Sequence, residues 1–245
     1  MRILLLDIET APNKGYFWGL FDQNISHDQV EESSYILCWS AQWYGEKQMI
    51  HQYVKDKAVP RRQMLLAIHK LLDDADIVVH YNGTKFDIPV LNKEFFKHRI
   101  TPPSPYKEVD LYKAVKRRFR FESNKMTAVA KQLGLAEKLN HEGFQMWVKC
   151  MEGQAEAWKK MSSYNKHDVV MLSELYTLLV PWIPNHPKMN IDIVDGCPKC
   201  GVKDQLQARG RQITTTMTYR RYQCQACGGW CRERIAEQGS RPQYV

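Results

Sequence analysis

The sequence predicts an α/β domain over residues 1–186, with a central sheet flanked by helices, followed by a linker and a small module over 187–245. Three observations carry that expectation. The chain opens with a continuous apolar run, Ile3 to Leu6, that ends in acids, as in a central strand buried on both faces. Strand-like and helix-like segments then mix as far as Leu179. Finally, Pro181, Pro184 and Pro187 end the helical pattern, and beyond them cysteines gather in pairs.

The elements follow in order. Tyr35–Tyr44 and Gln48–Tyr53 flank Gly45-Glu46-Lys47 and read as a hairpin with a short turn. Arg61–Asp74 places Met64, Leu65, Ile68, Leu71 and Leu72 at helical spacing. Ile77-Val78-Val79-His80 is a second buried strand that delivers the chain to Tyr81-Asn82-Gly83. A helix is expected from Asp87 to about His98, and Pro102-Pro103-Ser104-Pro105 breaks the pattern after it. Met126–Leu133 reads as a helix closed by Gly134, and Gln154–Leu179 as a long one. In the terminal module, the β-branched run Gln212–Tyr219 suits a strand.

The bulk numbers bound the function. A chain of 245 residues, 44% apolar and 25% charged, can bury a core. Its net charge of +8 and pI near 9.0 favour a polyanionic partner. The excess is uneven: Cys197–Val245 holds nine Lys or Arg against three acids, leaving +6 on the last 49 residues. The apolar run at Met1–Leu6 is too short for a signal peptide, and no stretch is long enough to span a bilayer. The seven cysteines are therefore expected in a reducing cytoplasm, where Cys-x-x-Cys pairs point to metal more than to disulfides.

Chemistry concentrates in three short motifs. They are Asp7-Ile8-Glu9-Thr10, Tyr81-Asn82-Gly83-Thr84-Lys85-Phe86-Asp87 and Tyr164-Asn165-Lys166-His167-Asp168. Residues two apart on a strand share a face, so Asp7 and Glu9 stand side by side and repel unless cations neutralise them. Hard oxygen ligands select Mg²⁺ or Mn²⁺. Tyr164 and Asp168, four apart on a helix, also share a face. Asp87 stands at a helix start, where it would serve equally as an N-cap. Asn82 would serve equally to satisfy backbone groups of its turn. The order and local spacing of the four carboxylates suit a site where two metal ions cut a phosphodiester bond.

The module carries Cys197-Pro198-Lys199-Cys200-Gly201 and Cys224-Gln225-Ala226-Cys227-Gly228. Two such knuckles close a tetrahedral Zn²⁺ site, with glycine relieving the turn after each pair. The pattern looks like a zinc ribbon, whose metal would supply most of its folding free energy. Cys231 is a spare candidate ligand, whereas Cys38 and Cys150 read as core residues. Tyr219, Tyr222 and Trp230, interleaved with basic residues, suit phosphate contacts and base stacking, although a solvated basic surface would look the same.

Taken together, the three motifs resemble those of the DEDD superfamily of 3′–5′ exonucleases, closest to the proofreading domain of family B DNA polymerases. The resemblance spans roughly residues 1–180. It implies an RNase H-like fold and two Mg²⁺ or Mn²⁺ ions beside the ribbon's Zn²⁺. Asp7 would bridge both ions, Glu9 and Asp168 would complete one site, and Asp87 would hold the second largely through water. Tyr164 would orient the attacking water, the mark of the tyrosine subclass. Thr10, Asn82 and Phe86 would contact substrate, with His167 left structural.

No polymerase fingers, palm or thumb fits in the remaining chain, so the expectation is a free-standing nuclease or one subunit of an assembly. The implied substrate is single-stranded DNA or a DNA 3′ end, with replication proteins as further partners and no membrane. An exoribonuclease is the second reading. A non-catalytic nucleic-acid-binding replication adaptor is the third, and retention of all four carboxylates and Tyr164 argues against it.

Overall fold

The computed structural model describes residues 1–54, 61–135, 142–191 and 195–237. The chain divides into two compact units, Met1–Leu175 and Tyr176–Val245. In the first unit the elements run β1 (Ile3–Thr10), β2 (Lys14–Gly15), β3 (Val30–Glu32), β4 (Ile36–Trp43), β5 (Met49–Tyr53), α1 (Arg61–Asp73) and β6 (Ile77–His80). Then come α2 (Asp87–Lys97), β7 (Lys107–Asp110), α3 (Leu111–Arg118), α4 (Met126–Gln132), α5 (Phe144–Met151) and α6 (Ala155–Leu179), the last residues of α6 belonging to the second unit.

Five strands form one mixed sheet in the order β5-β4-β1-β6-β7. β4 runs antiparallel to β1 and to β5, whereas β6 is parallel to β1 and to β7. β1 is therefore central, and its alternation sorts side chains to two layers. Leu4, Leu6 and Ile8 join Trp39, Met64, Ile68, Leu72, Leu91 and Phe95 in a core under α1 and α2. On the opposite face Leu37, Cys38, Met146, Cys150, Trp158 and Met161 pack beneath α5 and α6. Asp7 and Glu9 alternate with Leu6 and Ile8, so they project into this second layer. Burial of these aliphatic and aromatic side chains, at roughly 25 cal/mol per Å², is what fixes β1 in register.

Most expected elements lie where the sequence puts them. The hairpin turn falls at Gly45, with φ +87°, and Cys38 and Cys150 are buried in the core. β7, α3, α5 and the small β2–β3 pair are additions to the elements expected from the sequence. Among the described residues no helix is long and apolar enough to cross a membrane.

The second unit holds a three-stranded sheet of β8 (Leu206–Ile213), β9 (Thr218–Cys224) and β10 (Trp230–Arg232), in the order β10-β9-β8. This corrects the expectation of a strand over Gln212–Tyr219: that stretch spans the reversal between two strands. The Thr214 N–H donates to the Met217 carbonyl at 2.8 Å, and the Met217 N–H donates back to Thr214 Oγ1 at 3.0 Å. A hydroxyl that caps its own turn outweighs β-branched propensity there.

Candidate active site and four-cysteine cluster

Three carboxylates converge from two elements. One oxygen each of Asp7 and Glu9, from β1, and of Asp168, from α6, lie within 4.8 Å of one another. Asp87 is not in that group, but it is held against the same strand. β6 pairs with β1 only over Ile3–Leu5, so the edge of β1 is bare beyond that point. The Ile8 N–H there donates to Asp87 Oδ1 at 3.2 Å. Phe86, not Asp87, occupies the N-cap position of α2. The Asp87 carboxylate thus serves the strand instead of capping its own helix.

The electrostatics follow from crowding. Burial, then the neighbouring charges of Asp87, Glu9 and Asp168, push the Asp7 carboxyl well above its usual range, opposed by a hydrogen bond from Asn165. Burial lifts Asp87 to about 6, opposed by the hydrogen bond from the Ile8 N–H. Burial and the charges of Asp168, Glu9 and Asp7 also raise Tyr164, so its phenol keeps its proton. Removing like charges from water beside one another is unfavourable unless a cation enters. Hard oxygens, mutual repulsion and close approach together fit a divalent cation such as Mg²⁺ or Mn²⁺.

Several further side chains support the carboxylates. Trp147, on α5, donates its indole N–H to Glu9 Oε2 at 3.0 Å and meets the Tyr164 ring edge-on. Asn165 Nδ2 donates to Asp7 Oδ2 at 2.7 Å. Its place three residues before Asp168 on one helix face was the available clue. The turn before Asp87 is braced by His80, fully buried, whose Nδ1 accepts from the Gly83 N–H at 3.1 Å. Nε2 must then carry the proton and donate to Glu108 Oε2 at 3.2 Å. A Cβ on Gly83 would stand 2.4 Å from the His80 ring, so glycine is required. Asn82, at φ +63°, donates its backbone N–H to Asp110 Oδ1 at 2.9 Å. Thr10 ends β1, and Phe86 stands exposed beside Asp87.

In the second unit the four expected thiols meet. Cys197 and Cys227 Sγ are 3.8 Å apart, as are Cys200 and Cys224 Sγ, and all four lie within 4.8 Å. Four ligands at about 2.3 Å in a tetrahedron stand about 3.8 Å from one another, the spacing of these two pairs, so the thiols fit an ion such as Zn²⁺. Backbone N–H groups of Lys199 and Gly229 point at Cys197 and Cys227. Gly201 and Gly228, at φ +76° and +73°, make the turns after each pair. Cys231 is not one of the four. Of the module's nine cations, Lys199 is turned to the Pro181 and Ile183 carbonyls, and Arg211 faces Glu237. Arg221 lies over Trp230 and Arg232 over Tyr219. Arg241 lies outside the described residues.

A family model described as the RNase H superfamily matches residues 29–180, more than half of the chain. The chain belongs to the RNase H superfamily. Asp87, Tyr164 and Asp168 fall inside the matched span, whereas Asp7 and Glu9 precede it. This RNase H-like chain is also similar to a solved structure, that of the family B DNA polymerase from the hyperthermophilic archaeon Pyrobaculum calidifontis. The TM-score is 0.53 at 16% identity, over 75% of this chain and 26% of the polymerase, so the likeness is one of fold. No curated protein matches the sequence. Membership of the superfamily supports a nuclease, and hence a nucleic-acid substrate.

Proposed function

We propose that the protein is a metal-dependent 3′–5′ exonuclease that hydrolyses DNA phosphodiester bonds. The observation that carries this reading is the convergence of Asp7, Glu9 and Asp168 within 4.8 Å, with Asp87 held to the same strand and Tyr164 alongside. Asp7, Glu9, Asp168 and Asp87 would hold two Mg²⁺ or Mn²⁺ ions. When bound, such ions supply Lewis acidity, activating water near neutral pH and neutralising charge on the leaving 3′ oxygen. The residues do the rest. Trp147 holds Glu9, and Asn165 holds Asp7. The protonated Tyr164 hydroxyl orients the attacking water. Thr10, Asn82 and the exposed Phe86 are the proposed contacts for the terminal nucleotide.

The four cysteines would bind one structural Zn²⁺. Arg221 and Arg232, each over an aromatic ring, would meet phosphates while the rings stack on bases. Likeness to a DNA polymerase favours DNA; the ribonuclease in the family's name favours RNA as the second reading. Incubation of 3′- and 5′-labelled single-stranded and duplex DNA, and of RNA of the same sequence, with Mg²⁺ and beside an EDTA control, tests both. Stepwise loss from the 3′ end of DNA is expected. Internal cuts, or equal activity in EDTA, would remove the proposal.

A further inference from the structure

We propose that Asn165 is a positioning residue for Asp7, itself oriented by a one-way hydrogen-bond chain through Ser40, His51 and Ser162. The inference rests on the reading of Asp7 as a metal ligand. Asp7, Ser40 and His51 occupy directly opposite places on β1, β4 and β5. Directly opposite residues on neighbouring strands project from the same face, so these three form a polar row across the sheet. Ser162 and Asn165, three apart on one face of α6, close over that row.

The distances connect every member. Ser162 Oγ lies 3.0 Å from His51 Nε2, and His51 Nδ1 lies 2.9 Å from Ser40 Oγ. Ser40 Oγ donates to Asn165 Oδ1 at 2.6 Å, and Asn165 Nδ2 donates to Asp7 Oδ2 at 2.7 Å and to the Asp7 carbonyl at 3.3 Å. Ser40 and Asn165 are fully buried.

The direction of the chain is set at its inner end. The Asp7 main-chain carbonyl only accepts, so the amide nitrogen of Asn165, which reaches both that carbonyl and the carboxyl, must face Asp7, and the Asn165 carbonyl must face Ser40. Ser40 spends its one proton on that carbonyl and can therefore only accept from His51. Nδ1 of His51 then carries the hydrogen, and Nε2 accepts from Ser162. Burial and Lys166 hold His51 down to about 4, so the ring is neutral and one nitrogen is available to accept. Turning the Asn165 amide over would set its carbonyl against the carboxylate and force Ser40 and His51 to reorient with it. The chain therefore has one satisfied arrangement, and that arrangement holds one side of Asp7 while leaving its remaining lone pairs for a cation. Apolar side chains would have filled this layer without the desolvation cost of four polar groups.

Mn²⁺ titration of the full chain, with Asp7→Asn defining the binding that belongs to this site, tests the proposal. Asn165→Ala should weaken that binding by about 10–100-fold, the usual cost of removing a partner that orients a metal ligand. His51→Ala, which does not touch Asp7, should weaken it less. The double variant should be no weaker than Asn165→Ala alone, because both act through one chain. Unfolding temperatures are followed in parallel. If Asn165→Ala does not fold, Ser40→Ala, which removes a single oxygen, takes its place. Wild-type Mn²⁺ affinity in the Asn165 or Ser40 variant, or independent addition of the His51 and Asn165 effects, would overturn the positioning role while leaving Asp7 as a ligand. Mn²⁺ binding unaltered by Asp7→Asn would remove both readings at once.

Discussion

The indole Nε1 of Trp147 donates to Glu9 Oε2 at 3.0 Å, joining residues 138 apart in the chain. The same ring meets Tyr164 edge-on, with centroids 6.1 Å apart. One side chain on α5 thus touches both a candidate metal ligand and the proposed water-orienting phenol. Trp147→Phe keeps an aromatic ring but loses the hydrogen bond. A loss of roughly ten-fold in kcat is expected, at the low end of what such ligand partners contribute. KM for short oligonucleotides should change little. Trp147→Ala should cost more. Steady-state kinetics with wild-type turnover in Trp147→Phe would reduce the contact to packing.

Asp7→Asn should abolish hydrolysis and yet raise the melting temperature of the metal-free protein. The substitution removes a half-buried carboxyl that faces the like charges of Asp87, Glu9 and Asp168, and crowded carboxylates with no cation between them destabilise one another. Differential scanning fluorimetry in EDTA reads the second effect. A melting temperature below wild type would mean that the carboxylates do not repel one another in the folded chain.

Asp87 gives a pH dependence with a definite sign. Its carboxyl titrates at about 6 in the folded protein and near 3.9 in an unfolded chain. Between those values the native state binds more protons than the unfolded state, so this group's contribution to stability falls as pH rises. The contribution is fully present below the unfolded value and lost as pH passes 6. In EDTA, the Asp87→Asn variant should therefore gain on wild type between pH 4 and pH 7. Added Mg²⁺ should narrow that gap at pH 7. Urea unfolding of both proteins across this range checks it, and a gap independent of pH would contradict the raised value.

Gly83→Ala should destabilise the turn before Asp87. The new Cβ would stand 2.4 Å from the His80 ring, which is fully buried and bonded at both nitrogens. Overpacking of this kind typically costs about 1–3 kcal/mol. Denaturant midpoints and the rate of hydrolysis should both fall. Unchanged values would mean that the ring can move aside.

The terminal unit should carry one tightly held Zn²⁺ per chain, released when Cys197 and Cys200 are replaced by Ser. Metal analysis of protein purified without added zinc decides this. With zinc bound, replacing Arg221 and Arg232 by Ala should weaken binding to long single-stranded DNA. It should also shallow the slope of log affinity against log salt, by about 0.7 for each phosphate that is no longer neutralised. Unaltered affinity and slope would assign this surface to another role.

Features set by local chemistry were legible in the amino-acid order alone. Alternation along Ile3–Glu9 was enough to place Asp7 and Glu9 on one face of a buried strand, and helical spacing was enough to pair Tyr164 with Asp168. Four cysteines in two knuckles announced their cage because the ligand spacing is itself local. Features that depend on partners far along the chain emerged only in three dimensions. Trp147 reaches Glu9 across 138 residues, and Asn165 reaches Asp7 across 158. His51 enters the polar row only because β5 pairs with β4 in one particular register. Asp87 turned from a plausible cap into a partner of β1 because β6 stops short and leaves the Ile8 N–H without a strand. Propensity and periodicity report what a residue does with its near neighbours. Which buried donor faces which carboxylate is settled only when the sheet closes and every polar group in it must find an acceptor.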